Sequence, residues 1–173
     1  EPEEPAPPLN KEDLKFVQKV VGSFLYLGRA IDNTILMALN AIANEQSNPT
    51  ERTKERVLHF LDYLATHPNA IVRFYASDMI LNVHSDASYL SAPKARSRAA
   101  GYYFLGSLPQ DGQPIPLNGA IHVLCTLLKF VASSAAEAEL GALFLNAQEA
   151  KVLRVTLHEL GHPQPKIPIH IDN

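Results

Sequence analysis

The spacing of apolar residues changes at His67-Pro68, and that change divides what this chain can fold into. Ahead of it the period is helical. Val17, Val20, Val21, Phe24 and Leu27 recur at three- and four-residue intervals. Asn10 stands just before them, with Asp13 three residues on, in the pattern of a side chain that caps a helix start. Gly28 weakens the end of this segment. Asp32 can cap a second helix, with Ile35, Leu36, Leu39 and Ile42 on one face. Asn48-Pro49-Thr50 breaks the chain and caps a third, marked by Val57, Leu58, Leu61 and Leu64. That helix must stop at His67, because a proline ring bars the residue before it from the α-region. Residues 10–67 are therefore predicted to be a three-helix module, preceded by a proline-rich acidic stretch, 1–9, that has little to bury and is expected to be a disordered linker.

Beyond Pro68 the pattern is extended. Ile71 to Tyr75 and Met79 to Ser85 look extended and count as one strand region, the glycine-bounded aromatic run Gly101 to Gly106 is a second strand, and Gly119 to Leu124 is a third. Pro109 to Pro116 is a loop. Ser133 or Ser134 caps a long helix toward Ala150, continuing kinked or restarted through Leu160 and stopping at Gly161-His162-Pro163. Pro165 and Pro168 frame a short final strand, Ile169 to Ile171. Three strands, a helix, then a strand describe a mixed α/β domain over 70–173, with antiparallel hairpins followed by a crossover.

Charge and composition narrow the chemistry. The net charge is −3, whereas free-standing nucleic-acid binders are mostly basic. A polyanion would need bound cations and a local basic cluster, of which Lys94, Arg96 and Arg98 form one. No stretch reaches the roughly 18–20 apolar residues that cross a bilayer. The lone cysteine, Cys125, has no internal partner, which points to a reducing compartment. No glycine-rich phosphate loop and no Gly-x-Ser-x-Gly elbow are present.

Three acids stand at element ends. Asp86 closes a strand-like run, Glu139 lies in the first turns of the long helix, and Asp172 lies at the tip of the last strand. Strand–helix–strand carriers can gather such carboxylates at one sheet edge, where they would bind hard divalent cations. Glu137 competes with Glu139. Two positions apart on a helix they point about 200° apart, so only one can face a sheet. Ala135, Ala136 and Ala142 around Glu139 permit a close approach. Ser134 reads as a helix cap or a substrate contact, and Arg98, Arg96 and Lys94 as phosphate contacts or a solvated loop. Tyr102, Tyr103 and Phe104 read as sheet packing. His84 reads as structural, on the strand face opposite Asp86. His158, His162 and His170 lack the cysteine and the helical continuity a zinc site would use.

In this order and spacing the motifs resemble the ribonuclease H domain of copia-type LTR retrotransposon polyproteins. They are Ser85-Asp86-Ala87, Arg98-Ala99-Ala100-Gly101-Tyr102, Ser133-Ser134-Ala135-Ala136-Glu137-Ala138-Glu139 and Asp172-Asn173. Val21-Gly22-Ser23-Phe24-Leu25-Tyr26-Leu27, Asn48-Pro49-Thr50 and Leu61-Asp62-Tyr63-Leu64 look like the connection helices that precede it, so the resemblance runs from about Leu14 onward. It implies a ribonuclease H-like mixed sheet with a crossover helix behind a connection or thumb-like helical module. It implies two-metal-ion hydrolysis of the RNA strand of RNA–DNA hybrids during reverse transcription. The cofactor would be two Mg²⁺, with Mn²⁺ able to substitute. Asp86, Glu139 and Asp172 would be catalytic metal ligands, Asp86 bridging both ions, and Arg98, Ser134 and Asn173 would touch substrate. The implied partners are the hybrid and the polymerase domain of the same polyprotein, with no membrane. The implied setting is a cytoplasmic retroelement particle, or the nucleus.

Departures accompany the likeness. The family's Arg-Pro-Asp is Ala30-Ile31-Asp32-Asn33, and the tryptophan of its third strand is absent from Leu117 to Leu128. The family continues past Asp-Asn with a strand, a helix and a further carboxylate. The expectation is thus a fold lacking those elements, completed by a second chain, or an inactive module that binds nucleic acid or assembles the polyprotein. A helical adaptor acting through residues 10–67 is a third reading.

Overall fold

A computed structural model describes residues 6–108, 110, 113 and 115–171. They divide into two compact units, with the boundary between Ile71 and Val72. Among the described residues no helix is long and apolar enough to cross a membrane.

The first unit is helical: α1 (Lys11–Ala30), a 3₁₀ turn (Asn33–Ile35), α2 (Leu36–Glu45) and α3 (Glu51–Thr66). Asn10 starts α1 by accepting from the amides of Glu12 and Asp13, both at 2.9 Å. Asp32 caps the 3₁₀ turn, with the amide of Thr34 donating to it at 3.1 Å, so the second helix begins more tightly wound than its period predicts. Helix α1 runs through Gly28 instead of fraying there. A Cβ at Gly28 would lie 2.9 Å from Cδ2 of Leu36, so the missing side chain is what lets the next segment fold back closely. Val17, Val20, Val21, Ile35, Leu39, Ile42, Val57 and Phe60 form the core. Lys54 pairs with Asp13 at 2.7 Å, and Glu45 of α2 receives both Thr53 and Arg56 of α3.

The linker expectation is corrected at its described end. Pro7, Pro8 and Leu9 are not free: Leu9 donates to Pro49 at 3.1 Å, Pro7 accepts from Glu51 at 3.0 Å, and Pro8 bridges Thr50. Leu9 packs on the helical core, which gives this proline-rich segment the apolar anchor that composition alone hides. Residues 1–5 of the expected linker lie outside the described residues.

The second unit comprises β1 (Ile80–Ala92), β2 (Arg96–Gly106), β3 (Ala120–Leu127), α4 (Ala135–Glu159) and β4 (Ile169–His170). The strand order is β3-β2-β1-β4. The β1–β2 and β2–β3 pairs are antiparallel, and β4 lies parallel to β1 after the α4 crossover. Residues 71–75 join no strand; the Asn118 side chain instead bonds both backbone groups of Tyr75, at 2.8 and 2.9 Å. Strand β1 runs well past Ser85 and is irregular between Ser88 and Ala92, where Leu90 takes a φ of 49°. Helix α4 is a single uninterrupted helix to Glu159, with no proline to kink it.

Alternation assigns the two sheet faces. Leu81, Val83, Ser85 and Ala87 of β1, with Ala99 and Tyr103 of β2, turn to α4 and its cores. His84 and Asp86 are both exposed on the other face. His84 was expected opposite Asp86; two residues apart on a strand share a face, and the structure corrects that reading.

Candidate active site

Helix α4 lies along β1 through one stripe. Glu139, Ala142, Asn146, Ala150, Leu153 and Leu157 recur at three-, four- and seven-residue steps, so they share a face. Ala138 and Ala142 are fully buried against Ala99, Leu128 and Ala132. These small side chains bring the start of the helix close to the sheet. Glu139 sits at the head of the stripe, half-buried. Its Oε1 accepts the Ala87 amide at 3.2 Å, one residue past Asp86.

The direction of that amide matters. The Val83 amide donates to Pro168 on the β4 side at 3.2 Å. Strand alternation aims the Ala87 amide to the same side. Glu139 therefore reaches the β4 edge of β1, and Asp86, the residue before the bonded amide, is exposed on the sheet face opposite α4. The second oxygen of Glu139, Oε2, is buried and without a hydrogen-bond partner. A buried carboxylate oxygen with no donor is costly, and a hard cation is the kind of group that satisfies it. The donor chemistry of Asp86 and Glu139 thus suits Mg²⁺ or Mn²⁺. Among the described residues no group of three or more His, Cys, Asp or Glu forms a metal-holding cluster. Asp172 and Asn173 lie outside the described residues. Strand β4 pairs Val83 with Ile169 and His84 with His170.

Glu137 has a different task. The hydroxyl and amide of Ser133 both donate to its Oε2 at 2.6 Å. Those bonds, the side-chain one first, hold its carboxyl below the ordinary value. Ser134 caps α4, accepting from the Glu137 amide at 3.1 Å, with its side chain exposed. The basic cluster also separates. The Arg96 guanidinium holds the carbonyl of Leu128, Nε at 2.7 Å, and so closes the β2–β3 end. Lys94 is exposed in the β1–β2 turn with a φ of 61°. Arg98 is half-buried opposite Ser88 in the strand register, on the Asp86 face. On that face His84 stacks on Phe104, ring centroids 5.6 Å apart, and lies 5.1 Å from His170. Burial, then the neighbouring His84, lowers the His170 pKa.

Sequence reading missed Asn146. It is wholly buried, yet all its polar atoms are used. Nδ2 donates to Ser85 Oγ at 2.7 Å and to the Ala100 carbonyl at 2.8 Å, and Oδ1 accepts from the Tyr103 hydroxyl at 2.6 Å. A signal was available: a polar residue seven positions after Glu139 falls on the same sheet-facing stripe.

A four-stranded mixed sheet with a crossover helix is compatible with a ribonuclease H-like fold. No family model and no solved structure matches the chain. It is similar to the retrovirus-related Pol polyprotein from transposon TNT 1-94 of Nicotiana tabacum, at 29% identity over 153 residues. The match covers 88% of this chain and 11% of that polyprotein. It supports a retrotransposon polyprotein fragment, in keeping with a retroelement enzyme in general.

Proposed function

We propose that residues 70–173 are the ribonuclease H of a retroelement polyprotein, hydrolysing the RNA strand of RNA–DNA hybrids with two divalent ions. The observation that carries this reading is the Glu139 carboxylate, clamped to the amide next to Asp86 with its other oxygen buried and unpartnered. Asp86, Glu139 and Asp172 would hold the divalent ions. Bound Mg²⁺ supplies an activated water and a counter-charge for the departing 3′-oxygen. The protein's own part is positioning. The Ala87 amide orients Glu139, the open sheet face leaves Asp86 accessible to a scissile phosphate, and Arg98 on that face draws in the backbone. Asn173 and Ser134, the latter exposed while it caps α4, are assigned to the substrate strand. Recognition rests on backbone shape and 2′-hydroxyls, not base identity. The helical unit is the connection to the polymerase domain of the same polyprotein, within a cytoplasmic or nuclear retroelement particle.

The test is cleavage of a labelled hybrid with Mg²⁺ or Mn²⁺, by this chain and by the polyprotein that contains it. Asp86→Asn and Glu139→Gln are each expected to slow cutting by ~100-fold or more, the scale set by removing one preorganised charge-stabilising group. Folded variants that cut at the native rate would remove the proposed site. Hybrid that is bound yet never cut, by protein whose melting ignores either metal, would mean a non-catalytic binding or assembly module.

A further inference from the structure

We infer that Asn146 is a positioning residue, which sets the register of α4 on the sheet and thereby delivers Glu139 to the Ala87 amide. The inference rests on the nuclease reading for its functional consequence, but its geometry stands apart from it. Apolar contacts alone fix a helix poorly along its own axis on a sheet. Ala138, Ala142 and Ala150 offer smooth, small surfaces over which α4 could slide by a turn. Directional bonds remove that freedom. Asn146 makes three, to two strands at once: β1 through Ser85, and β2 through Ala100 and Tyr103.

The anchor lies close to what it positions. Asn146 and Glu139 are two helical turns apart on one stripe, and their β1 partners, Ser85 and Ala87, flank Asp86. Sliding α4 by one turn would put the Asn146 amide group among apolar side chains with no partner and carry Glu139 off the strand edge. The sheet is also shaped for this side chain. A Cβ on Gly101 would stand 1.9 Å from Asn146 Oδ1, so only glycine leaves room for it. Ser85 is 4% exposed, and its hydroxyl faces the helix as the partner of Asn146.

The experiment begins with the metal-free protein. In Asn146→Ala the Ala87 amide is expected to exchange with solvent about tenfold faster relative to the Val83 amide, which the Pro168 carbonyl holds; the size reflects loss of one ordinary hydrogen bond. In the loaded enzyme, the Mg²⁺ concentration for half-maximal cutting is expected to rise roughly 10- to 100-fold, as when a group that orients a metal ligand is removed. KM for the hybrid is expected to hold. Ser85→Ala, which deletes a single bond, should shift both readouts the same way and covers the case in which Asn146→Ala does not fold. Gly101→Ala should behave as Asn146→Ala does, because it displaces the same side chain. An unchanged Ala87 exchange ratio in folded Asn146→Ala or Ser85→Ala overturns the inference. A native protein that neither binds metal nor cuts hybrid would sink the nuclease reading instead, leaving the exchange result to judge the anchor.

Discussion

At Tyr103 a phenol is fully buried in a sheet core with its hydroxyl tied to Asn146. Burial, aided by the Glu149 charge, pushes its pKa up from the ordinary 10.0. A folded-state pKa above the unfolded value means the associated stability is complete below pH 10.0 and is lost as pH rises beyond it. Tyr103→Phe is therefore expected to flatten the alkaline loss of stability. At neutral pH the same change leaves Asn146 Oδ1 buried without a donor and should cost about 1–3 kcal/mol. Denaturant melts at neutral pH and above pH 10 check both. Residue-scale reading succeeded where geometry is local. The 200° separation of Glu137 and Glu139 is seen in their partners: Glu137 turns back to Ser133, ahead of the cap, and Glu139 faces the sheet. It failed for His84, which shares the exposed face of Asp86, and for Asn146, whose meaning needs partners 43 to 61 residues away.

Among the elements, α1 to α3 were legible because a 3.6-residue apolar period and a polar cap are properties of a short window. The start of α3 shows how such a cap is reused. Thr53 Oγ1 accepts from the Thr50 amide at 3.1 Å and donates to Glu45 of α2 at 2.9 Å, while 1% exposed. Thr53→Ala removes both bonds and is expected to lower stability by about 1–2 kcal/mol, whereas Thr53→Ser should stay near native. Thermal melts of the two variants decide this. Extended segments were less legible. Residues 71–75 have strand-like composition, yet they join no strand, and the Asn118 side chain supplies the partner of the Tyr75 backbone. Pro7 to Leu9 read as linker, yet they pair with the start of α3. Whether an extended segment joins a sheet depends on what arrives beside it, which no local window contains.

For the whole molecule, the proposed metal ligands all belong to the Val72–Asn173 unit. Metal that binds the folded form alone stabilises it by mass action, about 2.7 kcal/mol at a hundredfold excess over Kd. Mg²⁺ or Mn²⁺ is therefore expected to slow amide exchange along β1 and β2, with Ala87 among the most affected positions. Glu139→Gln should abolish that gain. Exchange that is indifferent to metal would argue against a cation at this edge.

The sequence by itself determined the helical period of the first unit, the change of period at Pro68, the strands–helix–strand order and the identity of the acids. Each depends on residues a few positions apart. Only the tertiary structure decided that Glu139 meets the amide beside Asp86, across 52 residues, and that Asn146 holds α4 in register. Long-range contacts are selected by the joint packing of several elements, so no single segment encodes them.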